Sequence, residues 1–205
     1  MPTNFPTSVD NFTNPTANDS LNLPSHSTQH ANANDAIEAV ESYLLTEPMG
    51  LRLIKKQTIG SAVSTVSVTS VFSSTYESYL IIINGDSASL SANLQFQLSA
   101  ATGSTYSQNY EFYAYGSSSS SISASSGTSS FVVQFDGSNP YNSTIQVNGP
   151  NVARATLGQV EGNAITYNGQ GRFKETSSGQ STGFTVFPSG GTITGGTIYV
   201  YGYAK

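Results

Sequence analysis

Leu94, Phe96 and Leu98 alternate with Asn93, Gln95 and Gln97, a two-residue period that a strand with one dry and one wet face requires. This is the clearest of a series of short runs that fill the chain from Leu51 onward. The others are Leu51 to Thr58, Val63 to Phe72, Tyr79 to Asn84, Tyr106 to Tyr115, Phe131 to Phe135, Thr144 to Val147, Val152 to Leu157, Ala164 to Tyr167, Arg172 to Glu175, Phe184 to Phe187 and Thr197 to Tyr203. Glycine, proline, asparagine and serine punctuate them at the spacing of an antiparallel sandwich or barrel. Leu80-Ile81-Ile82-Ile83 is apolar on both faces, which predicts a central strand or a contact between copies. Residues 48–205 therefore read as one all-β domain.

Upstream, the pattern changes twice. Pro2, Pro6, Pro15 and Pro24 lie among Asn, Thr and Ser, and each removes a backbone donor and biases its predecessor toward an extended conformation. Residues 1–30 thus predict an extended arm that cannot build a core of its own. Phe5, Val9, Phe12, Leu21 and Leu23 are spread through it like anchors, the spacing of a segment that lies across a partner surface. Residues 31–47 predict one short helix: Ala33, Ile37, Val40 and Leu44 follow a +4, +3, +4 spacing, a narrow coiled-coil seam that points to self-association. Asp35 and Glu38 fit the acidic first turn of such a helix, and Glu47-Pro48-Met49-Gly50 ends it.

Composition narrows the function classes. Only 9% of residues are charged, against about 25% in ordinary soluble domains, so hydroxyls and amides carry the surface polarity. A net charge of -5 opposes nucleic-acid binding, which needs clustered Lys and Arg. The absence of cysteine excludes disulfides and thiolate metal sites. No basic segment followed by an apolar run opens the chain, and no run is long enough for a membrane span.

Few residues point to chemistry. His26 and His30 share an i, i+4 spacing without an evident third ligand, and a polar pre-helix segment accounts for them. The serines lack a nucleophile-elbow context, and Gly190 to Gly196 lacks the following helix and lysine of a phosphate cradle. Asp86, Glu111, Asp136, Glu161 and Glu175 are carboxylates that could pair for glycoside hydrolysis, but no motif selects two of them. No catalytic residue, cofactor or metal is assigned. Tyr110, Phe112, Tyr113 and Tyr115 form an aromatic series that is a candidate glycan contact, with plain packing as the alternative. Ser117 to Ser130 reads as a low-complexity loop, and Asn84-Gly85-Asp86 and Asp136-Gly137-Ser138-Asn139-Pro140 read as turns.

Phe5-Pro6-Thr7-Ser8-Val9-Asp10-Asn11-Phe12-Thr13-Asn14-Pro15-Thr16, then Asp19-Ser20-Leu21, then Ser25-His26 to His30-Ala31-Asn32-Ala33-Asn34-Asp35-Ala36-Ile37-Glu38-Ala39-Val40-Glu41 form a block over roughly the first 45 residues. This block resembles the N-terminal module of bacteriophage tail-fibre-like and appendage proteins. Thr194 to Gly202 resembles the last strand of jelly-roll-like phage structural domains. The resemblance implies a homotrimer attached to the virion and assembled in the host cytoplasm. Its arm would dock on tail, collar or capsid proteins through Phe5, Val9, Phe12, Leu21 and Leu23, and its β domain would project outward. In that family the pattern continues into glycine after the helix, whereas this chain has Tyr43-Leu44-Leu45-Thr46-Glu47-Pro48.

The expectation is an all-β, antiparallel, jelly-roll-like β-sandwich preceded by an extended arm and one short α-helix. The expected function is non-enzymatic: a fibre- or spike-like virion appendage contributing to host adhesion, with host-surface polysaccharide a candidate partner. A capsid decoration protein and a carbohydrate-binding module of a tail protein are the alternatives. Leu80 to Ile83 is a candidate contact shared between sandwiches.

Overall fold

The computed structural model describes residues 8, 18, 20, 25–46, 50–89, 92–134 and 140–204. The chain divides into two compact units, Met1–Gly50 and Leu51–Lys205. The anchors Phe5, Val9, Phe12, Leu21 and Leu23 lie outside the described residues, as does Asp136 to Asn139.

In the first unit one helix, α1, spans His26–Thr46. It starts five residues before the predicted Ala31. Ser25 acts as its N-cap: its carbonyl accepts the first intrahelical bond, from the Gln29 N–H at 3.0 Å. Asp35 and Glu38 are consequently mid-helix, and the first turn carries no acid, which corrects the predicted acidic first turn. His26 and His30 stand inside the helix instead of ahead of it, their rings edge to face with centroids 4.5 Å apart. The seam Ala33, Ile37, Val40 and Leu44 is exposed along its whole length, with Leu44 at 61% and Ile37 at 57%. The neighbouring stripe Gln29, Asn32, Ala36, Ala39 and Tyr43 is the less exposed one.

The second unit contains twelve strands among its described residues: β1 (Leu51–Thr58), β2 (Val66–Val68), β3 (Ser78–Ala88), β4 (Leu94–Leu98), β5 (Tyr106–Ala114), β6 (Ser120–Thr128), β7 (Phe131–Gln134), β8 (Tyr141–Asn148), β9 (Thr156–Ala164), β10 (Tyr167–Glu175), β11 (Phe184–Pro188) and β12 (Ile193–Tyr203). They form an eight-stranded sheet in the order β1-β12-β3-β8-β9-β10-β5-β6 and a four-stranded sheet in the order β2-β11-β4-β7. All pairings are antiparallel.

Within this arrangement the inward residues of β1-β12-β3-β8 and of β2-β11-β4-β7 share one core cluster. Followed along the chain, β1, β3, β8 and β12 fall in one sheet and β2, β4, β7 and β11 in the other, the double Greek key of a jelly roll. Two hairpins are inserted into it. The β5–β6 hairpin lies between β4 and β7, and the β9–β10 hairpin between β8 and β11. Both extend the large sheet past β8, adding four strands on one side.

The core follows the pleat. Tyr79, Ile81 and Ile83 of β3, Ile145 and Val147 of β8, and Ile198 and Val200 of β12 are buried from the large sheet. Leu94, Phe96 and Leu98 of β4, with Phe184, Val186, Phe131 and Val133, are buried from the small one. Phe96 stacks on Phe184 at 4.6 Å between centroids. The expected alternation in β4 is thus observed, with Gln95 and Gln97 half-buried on the other face.

Several local expectations are corrected. Ser120–Thr128 forms a strand at the edge of the large sheet, not a loop, because its backbone satisfies the open edge of β5 and tertiary pairing outweighs the weak strand preference of serine. Asn84-Gly85-Asp86 continues β3 instead of turning. There the Tyr141 ring fills the space above Gly85, where a Cβ would meet its Cζ at 2.0 Å. Residues 152–155 form the approach to β9 and are not strand.

Candidate functional site

The four added strands create the most chemically varied face of the molecule. Facing strands place direct partners on the same side, so the register reads out which residues share it. On β10, Asn168, Gln170, Arg172 and Lys174 lie opposite Asn163, Glu161, Gln159 and Leu157 of β9. On the other flank the first three lie opposite Tyr113, Glu111 and Asn109 of β5, and Lys174 lies opposite Ser107. Glu111 in turn pairs with Ile122 of β6, and Asn109 with Ala124. This outward face is lined by amides, two carboxylates, two cations and a tyrosine.

The inward face explains why the sequence can present these groups. Gly158 and Gly162 of β9 and Gly169 and Gly171 of β10 alternate with the outward residues. The Tyr110 ring lies across Gly169 and Gly171, where added Cβ atoms would meet it at 2.4 and 2.7 Å. Phe173 lies against Gly158, whose Cβ would meet the Phe173 ring at 2.2 Å. Glycine at these positions lets the large rings lie flat on the strands. The Gly169-Gln170-Gly171 spacing is therefore a packing device.

Three contiguous depressions run along the outward face. One of about 270 Å³ is lined by Asn109, Glu111, Ile122, Gln159, Glu161, Gln170 and Arg172, among others. It shares Asn109 and Arg172 with a larger one of about 620 Å³ that also includes Ser107, Ala124, Leu157, Phe173 and Lys174. It shares Glu161 and Gln170 with a third of about 220 Å³ that includes Tyr113, Asn163 and Asn168. From Asn168 to Lys174 a strand advances roughly 20 Å at 3.4 Å per residue, so the groove is an elongated one.

Glu111 is the most constrained group in it. Hydrogen bonds from Tyr113 first, then Ser120 and Gln170, hold its carboxyl below the usual carboxylate value of 4.5. The bond to Glu111 in turn pushes the Tyr113 phenol up. Glu111 and Glu161 flank Gln170, each its direct cross-strand partner. Their backbones are two strand spacings apart, roughly 10 Å. Such an arrangement of fixed acceptors, amide donors and an adjoining aromatic suits the hydroxyl groups of a ligand.

The predicted aromatic series is divided by the pleat. Tyr110 is buried in the core at 2% exposure, so it is corrected from a candidate glycan contact to a packing residue, and burial raises its phenol above the usual value. Phe112 shares that inward side, packs against the core and meets Tyr167 edge to face at 6.0 Å. Tyr113 lies on the outward face within the groove. Tyr115, 56% exposed, follows β5 and reaches Asn163 through its hydroxyl at 3.4 Å. Of the candidate carboxylates, Glu111 and Glu161 meet in the groove, whereas Glu175 is buried and accepts the Ser177 N–H at 2.6 Å. Gln170, Gln159, Asn109 and Arg172 were not anticipated. Reading residues 167–175 as a single strand, with Gly169, Gly171 and Phe173 on one side, would have exposed Gln170 and Arg172, whereas Gln159 and Asn109 join them only through strand pairing.

Among the described residues no group of three or more His, Cys, Asp or Glu could hold a metal, and no helix is long and apolar enough to cross a membrane. No family model matches the chain, and no curated protein matches it. Among solved structures, a family two carbohydrate esterase from Cellvibrio japonicus is similar over 76% of this chain and 34% of that chain, at 7% identity and a TM-score of 0.17. The chain thus spans about a third of that enzyme, and at this score the likeness carries no argument about fold or activity.

Proposed function

We propose that this chain is a phage virion structural protein, a fibre- or spike-like appendage whose N-terminal arm docks on the particle and whose β domain adheres to host-surface polysaccharide. The observation that carries the adhesive part is the groove on the added strands, where Tyr113, Glu111, Gln170 and Glu161 converge beside Asn109, Gln159 and Arg172. Jelly rolls house both virion shells and lectins, and this fold-level analogy is compatible with either role. The carrier is the site itself: planar amides and carboxylates in an elongated depression match the hydroxyl-rich edge of a sugar chain.

Homotrimerisation is supported by two apolar features that the core leaves uncovered, one exposed and one half-buried. One is the α1 seam of Ala33, Ile37, Val40 and Leu44. The other is the outer face of the large sheet, where Leu53 faces Tyr201, Tyr201 faces Leu80 and Tyr199 faces Ile82. The helix is 21 residues long, but its apolar seam runs only from Ala33 to Leu44 and is short for a coiled coil, and the second surface supplies further apolar area. Of the stretch Leu80 to Ile83, only Leu80 and Ile82 are available for this, because Ile81 and Ile83 are buried in the core.

Two experiments test the reading. Deleting residues 1 to 25 should abolish incorporation into phage particles while leaving the β domain folded, and normal incorporation would refute docking by the arm. Replacing Gln170 and Glu161 by Ala should remove binding to host cells, and full retention would exclude the groove as the adhesive site.

A further inference from the structure

We infer that the groove takes an acidic polysaccharide and seats its anionic group at the Arg172–Lys174 end. This inference rests on the adhesive reading above and specifies its ligand class. The charges are graded along the groove. Glu111 and Glu161 flank Gln170 in the middle depression, which Arg172 also lines, and Tyr113, Asn163 and Asn168 lie beyond them. Arg172 and Lys174 line the largest depression, of about 620 Å³, at the other end.

The two cations are a sizeable share of a small supply. The whole chain has seven Lys and Arg against twelve Asp and Glu, yet two of the seven stand two residues apart on one outward face of β10. Both side chains are exposed. Their direct partners on both flanks are uncharged: Gln159 and Asn109 beside Arg172, Leu157 and Ser107 beside Lys174. Among the described residues neither makes an ion pair or a side-chain hydrogen bond. The other described lysines differ: Lys55 donates to the Thr69 carbonyl at 3.0 Å, and Lys56 lies 5.7 Å from the Tyr199 ring centroid.

The walls of this depression fit a carboxylated sugar. Leu157, 55% exposed, and Ala124 offer apolar surface for a ring face. Arg172, a planar fork, matches a carboxylate in two-point fashion. The far end, of Tyr113, Asn163 and Asn168 beside Glu161, offers an anion no cation and accepts hydroxyls. A chain bearing a carboxylate is thereby oriented along the groove as well as held in it.

The test is an array of purified bacterial surface polysaccharides probed with the full chain, each acidic polymer paired with its carboxyl-reduced form. Acidic polymers should bind, and reduction should weaken binding about tenfold, the loss expected for one charge-assisted contact of about 1.4 kcal/mol. The variant Arg172→Gln with Lys174→Gln should bind acidic and reduced forms alike, and its circular dichroism should match that of the parent. Equal affinity of the parent for acidic and reduced polymers overturns the inference and leaves the adhesive reading standing. Absence of binding to every polymer, with the folded parent chain, overturns both.

Discussion

Phe131 of β7 and Phe173 of β10 stack with centroids 3.7 Å apart and planes 14° from parallel. This contact joins the small sheet to the strands added beyond the jelly roll. It also sets the position of β10, the strand that carries Gln170, Arg172 and Lys174 on its opposite face. Phe173→Ala should therefore cost about 3–5 kcal/mol, as for other buried phenylalanines, and lower polysaccharide affinity in the fraction that stays folded. Urea denaturation followed by fluorescence measures the first effect. A loss below about 1 kcal/mol would show that the stack is not what holds the extension.

Gly158→Ala tests the same layer from the other side. The added methyl would approach the Phe173 ring at 2.2 Å and the Gln146 carbonyl at 2.6 Å. Overpacking of this kind costs about 1–3 kcal/mol. Gly116→Ala is the comparison, since a Cβ there meets nothing within 4 Å and bears only the strain of a positive φ of 81°. Thermal unfolding of the two variants should rank Gly158→Ala as the more damaging.

Buried tyrosines predict alkaline lability. Burial pushes the phenols of Tyr79, Tyr106 and Tyr110 up and that of Tyr141 up to about 12. Above the unfolded value of 10 the unfolded chain has lost protons that the folded chain still holds, so stability falls as pH rises through that window. The slope is about 1.4 kcal/mol per pH unit for each such tyrosine. The Tyr141 hydroxyl has no hydrogen-bond partner among the described residues. Tyr141→Phe should thus be near neutral at neutral pH and should remove one proton's share of the alkaline slope. Urea midpoints across the alkaline range check both statements.

Glu111 predicts acid-resistant binding. Its lowered value means that its share of folded-state stability is present above 4.5 and is lost only as pH falls through the folded value. Polysaccharide binding that uses this carboxylate should stay level as pH is lowered through 4.5 and decline below it. On the carboxyl-reduced polymer, which has no acid of its own to titrate, Glu111→Gln should remove that acidic limb. A binding curve that falls at ordinary carboxylate values would show that Tyr113, Ser120 and Gln170 do not hold the anion in solution.

Ile37→Asp should break assembly, because it puts a charge in the centre of the α1 seam. Sedimentation should change from three times the 21.5 kDa chain mass to that of a single chain. An unchanged trimer would move the assembly function to the face formed by Leu53, Leu80, Ile82, Tyr199 and Tyr201. A parent chain that sediments as a monomer would end the trimer proposal.

By itself the sequence determined the layered β architecture, the single helix and the inward faces of the best-patterned strands. Alternation is a local property, and Leu94, Phe96 and Leu98 reveal it within five residues. The helical seam is local in the same way, although its cap at Ser25 lay hidden behind a polar turn. What only the tertiary structure decided was the sheet order, and with it the groove. Glu111, Glu161 and Gln170 come from three strands, and their adjacency depends on two separate hairpins joining the same edge of the large sheet. Glycine at positions 169 and 171 interrupts the apolar pattern because the ring it accommodates, Tyr110, lies 59 and 61 residues earlier in the chain. The serine run from Ser120 becomes a strand for a related reason. Its backbone hydrogen bonds are defined by the edge that β5 offers, and an edge is a property of the assembled sheet.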